Sequence, residues 1–192
     1  MNMYNSMKEA FRQGYKERSQ LYKARLVKWD SEPSVMEVDK PTNIARAREL
    51  GYKAKQGIVV ARVRVLKGKS KRHGKHLHRK ITKMGKFYSY NKSLQAIAEE
   101  RAARKFTNCE VLNSYFVGDT GQKKFFEVIL LDREGASIKN DPQYANLLAQ
   151  RNRANRGLTM AGRKHRGISM KGDNTLKNRP SRRSSLKRCA GY

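Results

Sequence analysis

Positive charge is concentrated in two stretches of this sequence. Residues 62–92 hold 12 Lys or Arg and no Asp or Glu, and residues 151–192 hold 13 and 1. The remaining stretches are close to balanced, with 12 basic and 7 acidic residues over 1–61 and 7 and 8 over 93–150. The two basic stretches therefore carry +24 of the formal +28 on 192 residues. A segment so rich in like charge cannot collapse on itself, whereas the balanced stretches contain 27 of the 37 Leu, Ile, Val and Phe and can bury a modest core. The expectation is a globular α+β body over 1–150 with a basic loop inserted at 67–92, followed by an extended basic tail over 151–192. Charge of this size requires a polyanionic partner.

Other classes are excluded by what the chain lacks. Cys109 and Cys189 lie too far apart for a C-x-x-C metal knuckle and are too few for a disulfide framework, which points to a reducing compartment. No stretch approaches the ~18 apolar residues of a membrane span, and the first residues have no apolar signal core, so a soluble intracellular protein is expected.

Periodicity places the elements. Ser6 and Glu9 form a capping-box pair, and Met7, Phe11, Tyr15, Tyr22, Leu26 and Trp29 follow at helical spacing, with Gly14 as the expected bend or break. Residues 34–38 alternate weakly as a strand. Pro41 and Thr42 open a short helix through Leu50, closed by Gly51. Residues 57–66 alternate clearly, with Val59, Ala61, Val63 and Val65 on one face and Arg62 and Arg64 on the other, expected to project outward. Ser93 caps a helix whose apolar face is Leu94, Ile97, Ala98, Ala102 and Phe106, leaving Glu99, Glu100, Arg101 and Arg104 to solvent. Residues 109–117 and 123–131 form a hairpin, Asp141-Pro142 starts a short helix, and one more helical turn lies near 159–164. The fold class is thus α+β, with a small, mostly antiparallel sheet and helices.

Catalytic chemistry is not visible. His73, His76 and His78 sit among Lys and Arg with no Cys or carboxylate beside them, a poor setting for a metal ion. Glu110, Glu127 and Asp132 could hold Mg²⁺ only if the hairpin brought them onto one face. No phosphate-cradling Gly-rich loop or nucleophile elbow occurs, so no enzyme activity, cofactor, metal or small-molecule substrate is expected. What remains is phosphate affinity, with Tyr52, Phe87, Tyr88 and Tyr90 interleaved to stack on unpaired bases.

Six colinear blocks resemble the large-subunit ribosomal protein fifteen family of archaea and eukaryotes. They begin at Arg48-Glu-Leu-Gly-Tyr-Lys-Ala-Lys-Gln-Gly, Arg62-Val-Arg-Val, Ser93-Leu-Gln-Ala-Ile-Ala-Glu-Glu-Arg-Ala, Val111-Leu-Asn-Ser-Tyr, Phe126-Glu-Val-Ile-Leu and Arg156-Gly-Leu-Thr-Met-Ala-Gly-Arg-Lys, the last running on to Arg166-Gly. The sequence departs from the family pattern at Met160, at Phe116 and at Asn146-Leu-Leu.

The resemblance implies a four-stranded sheet in β-α-β-α-β-β order and a structural role in the large ribosomal subunit of the cytoplasm. Its implied partners are large-subunit rRNA and neighbouring ribosomal proteins, with the chain monomeric within the ribosome and away from membranes. By that resemblance Tyr52, Lys53, Lys55, Gln56, Arg62, Arg64, Arg156, Arg163, Lys164 and Arg166 face RNA. Charge alone adds Lys67, Lys69, Lys71, Arg72, Lys75, Arg79, Lys80, Lys83 and Tyr88 in the loop, and Arg179, Arg182, Arg183, Lys187 and Arg188 in the tail. An architectural DNA-binding protein is the alternative from another class. Removal of residues 151–192 is expected to leave a soluble globule.

Overall fold

Alternation along two long apolar stretches builds the sheet, and everything else is positioned by it. The computed structural model describes residues 2–68, 70–71, 78, 87–88 and 92–166. Strands β1 (Val35–Val38), β2 (Ile58–Leu66), β5 (Cys109–Asp119) and β6 (Lys123–Asp132) form one antiparallel sheet in the order β1-β2-β6-β5. Two short strands, β3 (Ser70–Lys71) and β4 (Phe87–Tyr88), pair within the basic loop. The four-strand architecture and its connection order agree with the sequence.

Helices cover both faces of the sheet. Ala98 and Ala102 of α4 (Leu94–Lys105) pack on Ala61, Val63, Val65, Val128 and Leu130. Tyr22, Leu26 and Trp29 of α2 (Gln20–Ser31), with Ala47 of α3 (Ile44–Glu49), pack on Tyr115, Phe125 and Ile129. Small residues on α4 let the helix lie close to a sheet face of branched side chains, where burial stabilises by about 25 cal/mol per Å² of apolar surface. Beyond the hairpin, α5 (Ala136–Lys139) and α6 (Pro142–Leu148) close a third cluster of Leu131, Ile138 and Tyr144, against which Leu147 and Leu148 pack. The departure at Asn146-Leu-Leu is thereby absorbed by aliphatic contacts. Among the described residues no helix is long and apolar enough to cross a membrane.

Local expectations hold at some ends and fail at others. Ser93 accepts from the Ala96 amide, Asp141 accepts from the Gln143 amide, and Gly51 follows α3 at φ +98°, a conformation open to glycine. The first helix differs. Asn2, not Ser6, caps α1 (Met3–Glu17) by accepting from the Tyr4 amide, because an Asn one turn earlier already satisfies the first amides. Nor does Gly14 break the helix. The break falls at Arg18, in the left-handed region at φ 52°, where its amide donates back to Gly14 O and the Ser19 hydroxyl starts α2. α5 has no capping side chain, so nothing in the sequence marks its start.

The larger correction concerns the acidic residues of α4. Glu99 is 1 % exposed and Glu100 8 %, not a solvated face. Residues 151–166 cause this by folding back over the helix: Ala154 joins the α4 core cluster, and α7 (Met160–His165) lies against α4 and β5. The packed body therefore runs through Arg166, past the boundary expected at residue 150.

Candidate nucleic-acid interface

The C-terminal stretch is held in place by buried carboxylates. Glu99 accepts from the Ser114 hydroxyl and the Thr159 hydroxyl, each at 2.5 Å. Thr159 in turn caps α7, accepting from the Gly162 amide. Burial raises the Glu99 carboxyl above its usual range, although both hydroxyl donors and the Arg153 charge pull it down. Glu110 accepts from the Asn152 and Arg153 amides, each at 2.9 Å, and Arg153 Nη1 donates to Val111 O. Three acids that the sequence suggests as solvated or as metal ligands thus serve as acceptors for backbone amides, hydroxyls and, at Glu100, the Lys92 ammonium at 2.6 Å.

A glycine pair lets the returning chain fit. Gly157 lies at φ +67°, and a Cβ on Gly162 would stand 2.7 Å from Gly157 Cα and 2.8 Å from its carbonyl carbon. Both neighbours are backbone atoms, which cannot swing aside. Gly162→Ala is therefore expected to lower stability by roughly 1–3 kcal/mol despite the better helix propensity of Ala, read as a lower thermal midpoint. An unchanged midpoint would mean that the Gly157 turn is free to move.

This anchoring leaves a basic, concave face. Arg151, Arg156, Arg163 and Lys164 are exposed, and Arg166 is half-buried with Nη1 donating to Arg156 O at 2.7 Å. Two clefts adjoin along the Asn155–Arg156 edge, one of about 490 Å³ and one of about 590 Å³. Arg151, Asn155 and His165 line them and are not singled out by the sequence; for Asn155, an uncharged residue in a basic run, no signal exists.

The expected contacts at the other end of the sheet are rearranged. Arg62, on β2, does not project outward. It is 8 % exposed, bonds Glu32 through Nε and Nη2 at 3.1 Å each, lies over Trp29 at 4.8 Å, and stands 3.8 Å from Glu127. The reason is that β6 places Glu127 opposite Arg62 in register, and an inward cation satisfies that buried acid. Arg64, half-buried, donates to Asp30 O. Lys67 is clamped to the hairpin end by Asp119 at 2.7 Å and by Thr120 O. Burial alone would raise the Asp119 carboxyl, but Lys67, Arg18 and Tyr15 together bring it below its usual range. Lys67 thus fixes the root of the basic loop.

A third group gathers at the α6 N-terminus. Tyr52 is half-buried against the α2 cluster, and the Gln56 carbonyl accepts from the Ser137 hydroxyl. Lys53 and Lys55, at 3.4 Å and 3.3 Å, share the single acid Asp141. The Gln143 amide holds the Asp141 carboxyl below its usual range, with help from Lys55 and Lys53. Two exposed cations on one acid leave a net positive spot.

The remaining sequence-predicted residues are less defined. Lys71 and Tyr88 lie in the β3–β4 pair. Lys69, Arg72, Lys75, Arg79, Lys80, Lys83, Arg179, Arg182, Arg183, Lys187 and Arg188 lie outside the described residues, as do His73 and His76 of the histidine group. Of the departures from the family pattern, Phe116 packs edge-on to Tyr15 and Phe126, each at 5.9 Å, and Met160 is exposed at the start of α7.

Among the described residues no three His, Cys, Asp or Glu converge as metal ligands. Glu127 is instead enclosed by the Tyr115 and Thr42 hydroxyls and the Thr42 amide. Burial pushes the Cys109 thiol up to about 11, aided by Asp132 and Glu37.

The family model described as Ribosomal L15 matches residues 2–185. That span takes in the packed body, the basic loop and most of the C-terminal stretch rather than one shared fragment, and the chain belongs to the L15e family of structural proteins of the large ribosomal subunit.

Proposed function

We propose that this ribosomal protein holds large-subunit rRNA through its cationic loop and C-terminal stretch, without catalysis. The observation that carries the reading is the segregation of +24 of its +28 charge into two stretches, one inserted within and one following otherwise near-neutral sequence. Cations on a concave, anchored face meet phosphates in fixed register, while a following basic segment adds contacts that neutralise crowded strands and release counterions.

Anisotropy titrations of a large-subunit rRNA fragment across a salt series test this. Removing residues 167–192, which contain seven Lys or Arg, should flatten the log–log salt slope by roughly five units, at about 0.7–0.9 for each phosphate no longer neutralised. An unchanged slope, or equal competition by duplex DNA of the same length, would overturn the reading.

A further inference from the structure

We infer that the cleft between α4 and the Arg156–Leu158 turn is a pocket for one unstacked nucleobase, with guanine preferred. This rests on the rRNA-binding reading above and gives that face a base-reading element besides phosphate affinity. The cleft measures about 490 Å³, within the ~300–1,000 Å³ range of pockets that enclose small ligands. Lys92, Glu100, Asn155, Arg156, Leu158 and Arg166 line it.

Glu100 is the residue that phosphate affinity does not explain. Among the described residues it is the one acid lining this cleft, and a carboxylate repels phosphate. It is 8 % exposed and accepts from Lys92 Nζ through Oε1, while Oε2 has no hydrogen-bond partner among the described residues. Each carboxylate oxygen has two lone pairs, so Oε2 together with the second lone pair of Oε1 can accept two adjacent donors. Of the four bases, guanine alone presents such a pair on its Watson–Crick edge, the N1–H and the exocyclic N2 amino group. Adenine and cytosine offer one amino group beside an acceptor, and uracil one N–H between two carbonyls.

The walls suit a flat ring with charged flanks. Leu158 supplies an apolar surface, and the Arg156 and Arg166 guanidinium planes can stack on a base, as cationic planes do in single-stranded RNA recognition. The Arg166 bond to Arg156 O at 2.7 Å ties the two sides of the cleft together before any ligand arrives. Lys92 and Arg156 remain placed for the neighbouring phosphates.

The test is an amide NMR titration of the full chain with guanosine monophosphate, with the adenosine, cytidine and uridine monophosphates and inorganic phosphate as comparisons. Guanosine monophosphate should shift the amides of Glu100 and residues 155–158 and bind about tenfold more tightly than the adenosine compound, the discrimination expected of one bidentate base contact. Glu100→Gln should abolish that preference without weakening inorganic phosphate binding. Leu158→Trp, which fills the cleft, should remove the guanosine response while rRNA binding keeps its salt slope; it serves if Glu100→Gln fails to fold. Equal shifts from all four nucleotides and inorganic phosphate would overturn the pocket in favour of a phosphate site. A response seen only in a chain ending at residue 166 would overturn it in favour of occupation by the chain's own tail. In either case steep salt-dependent rRNA binding by the same sample leaves the broader reading standing, whereas loss of rRNA binding would remove that reading itself.

Discussion

Glu127→Ala is expected to destabilise the protein by about 3–5 kcal/mol, the usual effect of removing one partner from a buried ionic network. Glu127 has no exposed surface and accepts from the Thr42 amide at 2.9 Å, from the Thr42 hydroxyl and from the Tyr115 hydroxyl. The Arg62 guanidinium beside it stays buried, with only Glu32 among the described residues left to balance it. Truncation strands two hydroxyls and an amide and opens a cavity between sheet and α2. Tyr115→Phe, which removes one of the hydrogen bonds, should cost only about 1–2 kcal/mol. Urea denaturation of the two variants gives the comparison. If Glu127→Ala were no worse than Tyr115→Phe, the carboxylate would not be the centre of the network. Against a total stability of about 5–15 kcal/mol, the larger loss would leave a marginal fold.

A chain ending at residue 150 is expected to be grossly destabilised relative to one ending at residue 166. The shorter chain removes Ala154 from the core, the Asn152 and Arg153 amides from Glu110, and the Thr159 hydroxyl from Glu99. Each orphaned carboxylate must then be hydrated or protonated inside a body built to exclude water, a penalty of several kcal/mol taken together. This reverses the expectation that residues 1–150 stand alone as a soluble globule. Thermal scans of the two truncations decide it, and equal midpoints would show that residues 151–166 only decorate the body.

The contrast between these truncations shows where the sequence is readable. The sheet is legible because alternation in 57–66 and 123–131 is a local property of consecutive side chains, and the caps at Ser93 and Asp141 depend on residues two or three positions away. Glu99 is misleading because its partners, Ser114 and Thr159, lie 15 and 60 positions away, and an acid on a helix looks the same from sequence whether solvent or a hydroxyl meets it. Arg62 misleads for the same reason, since the acids that draw it inward, Glu32 and Glu127, belong to other elements. In the candidate interface, Arg156, Arg163, Lys164 and Arg166 are marked by resemblance, and of these Arg156 and Arg166 line one cleft. Arg153, a like charge in the same run, faces inward to hold the chain down. Charge marks the stretch, but only the fold sorts its anchors from its free cations.

The fastening of residues 152–159 to Glu99 and Glu110 also sets a clock on biosynthesis. A ribosome makes α4 and the β5–β6 hairpin well before it makes Thr159, sixty residues after Glu99. Until residues 152–159 emerge, Glu110 lacks its two amide donors and Glu99 has only the Ser114 hydroxyl of its two, so the α4 face of the sheet is not yet sealed. The α4 face of the nascent body therefore seals only late in synthesis, as the basic stretch appears.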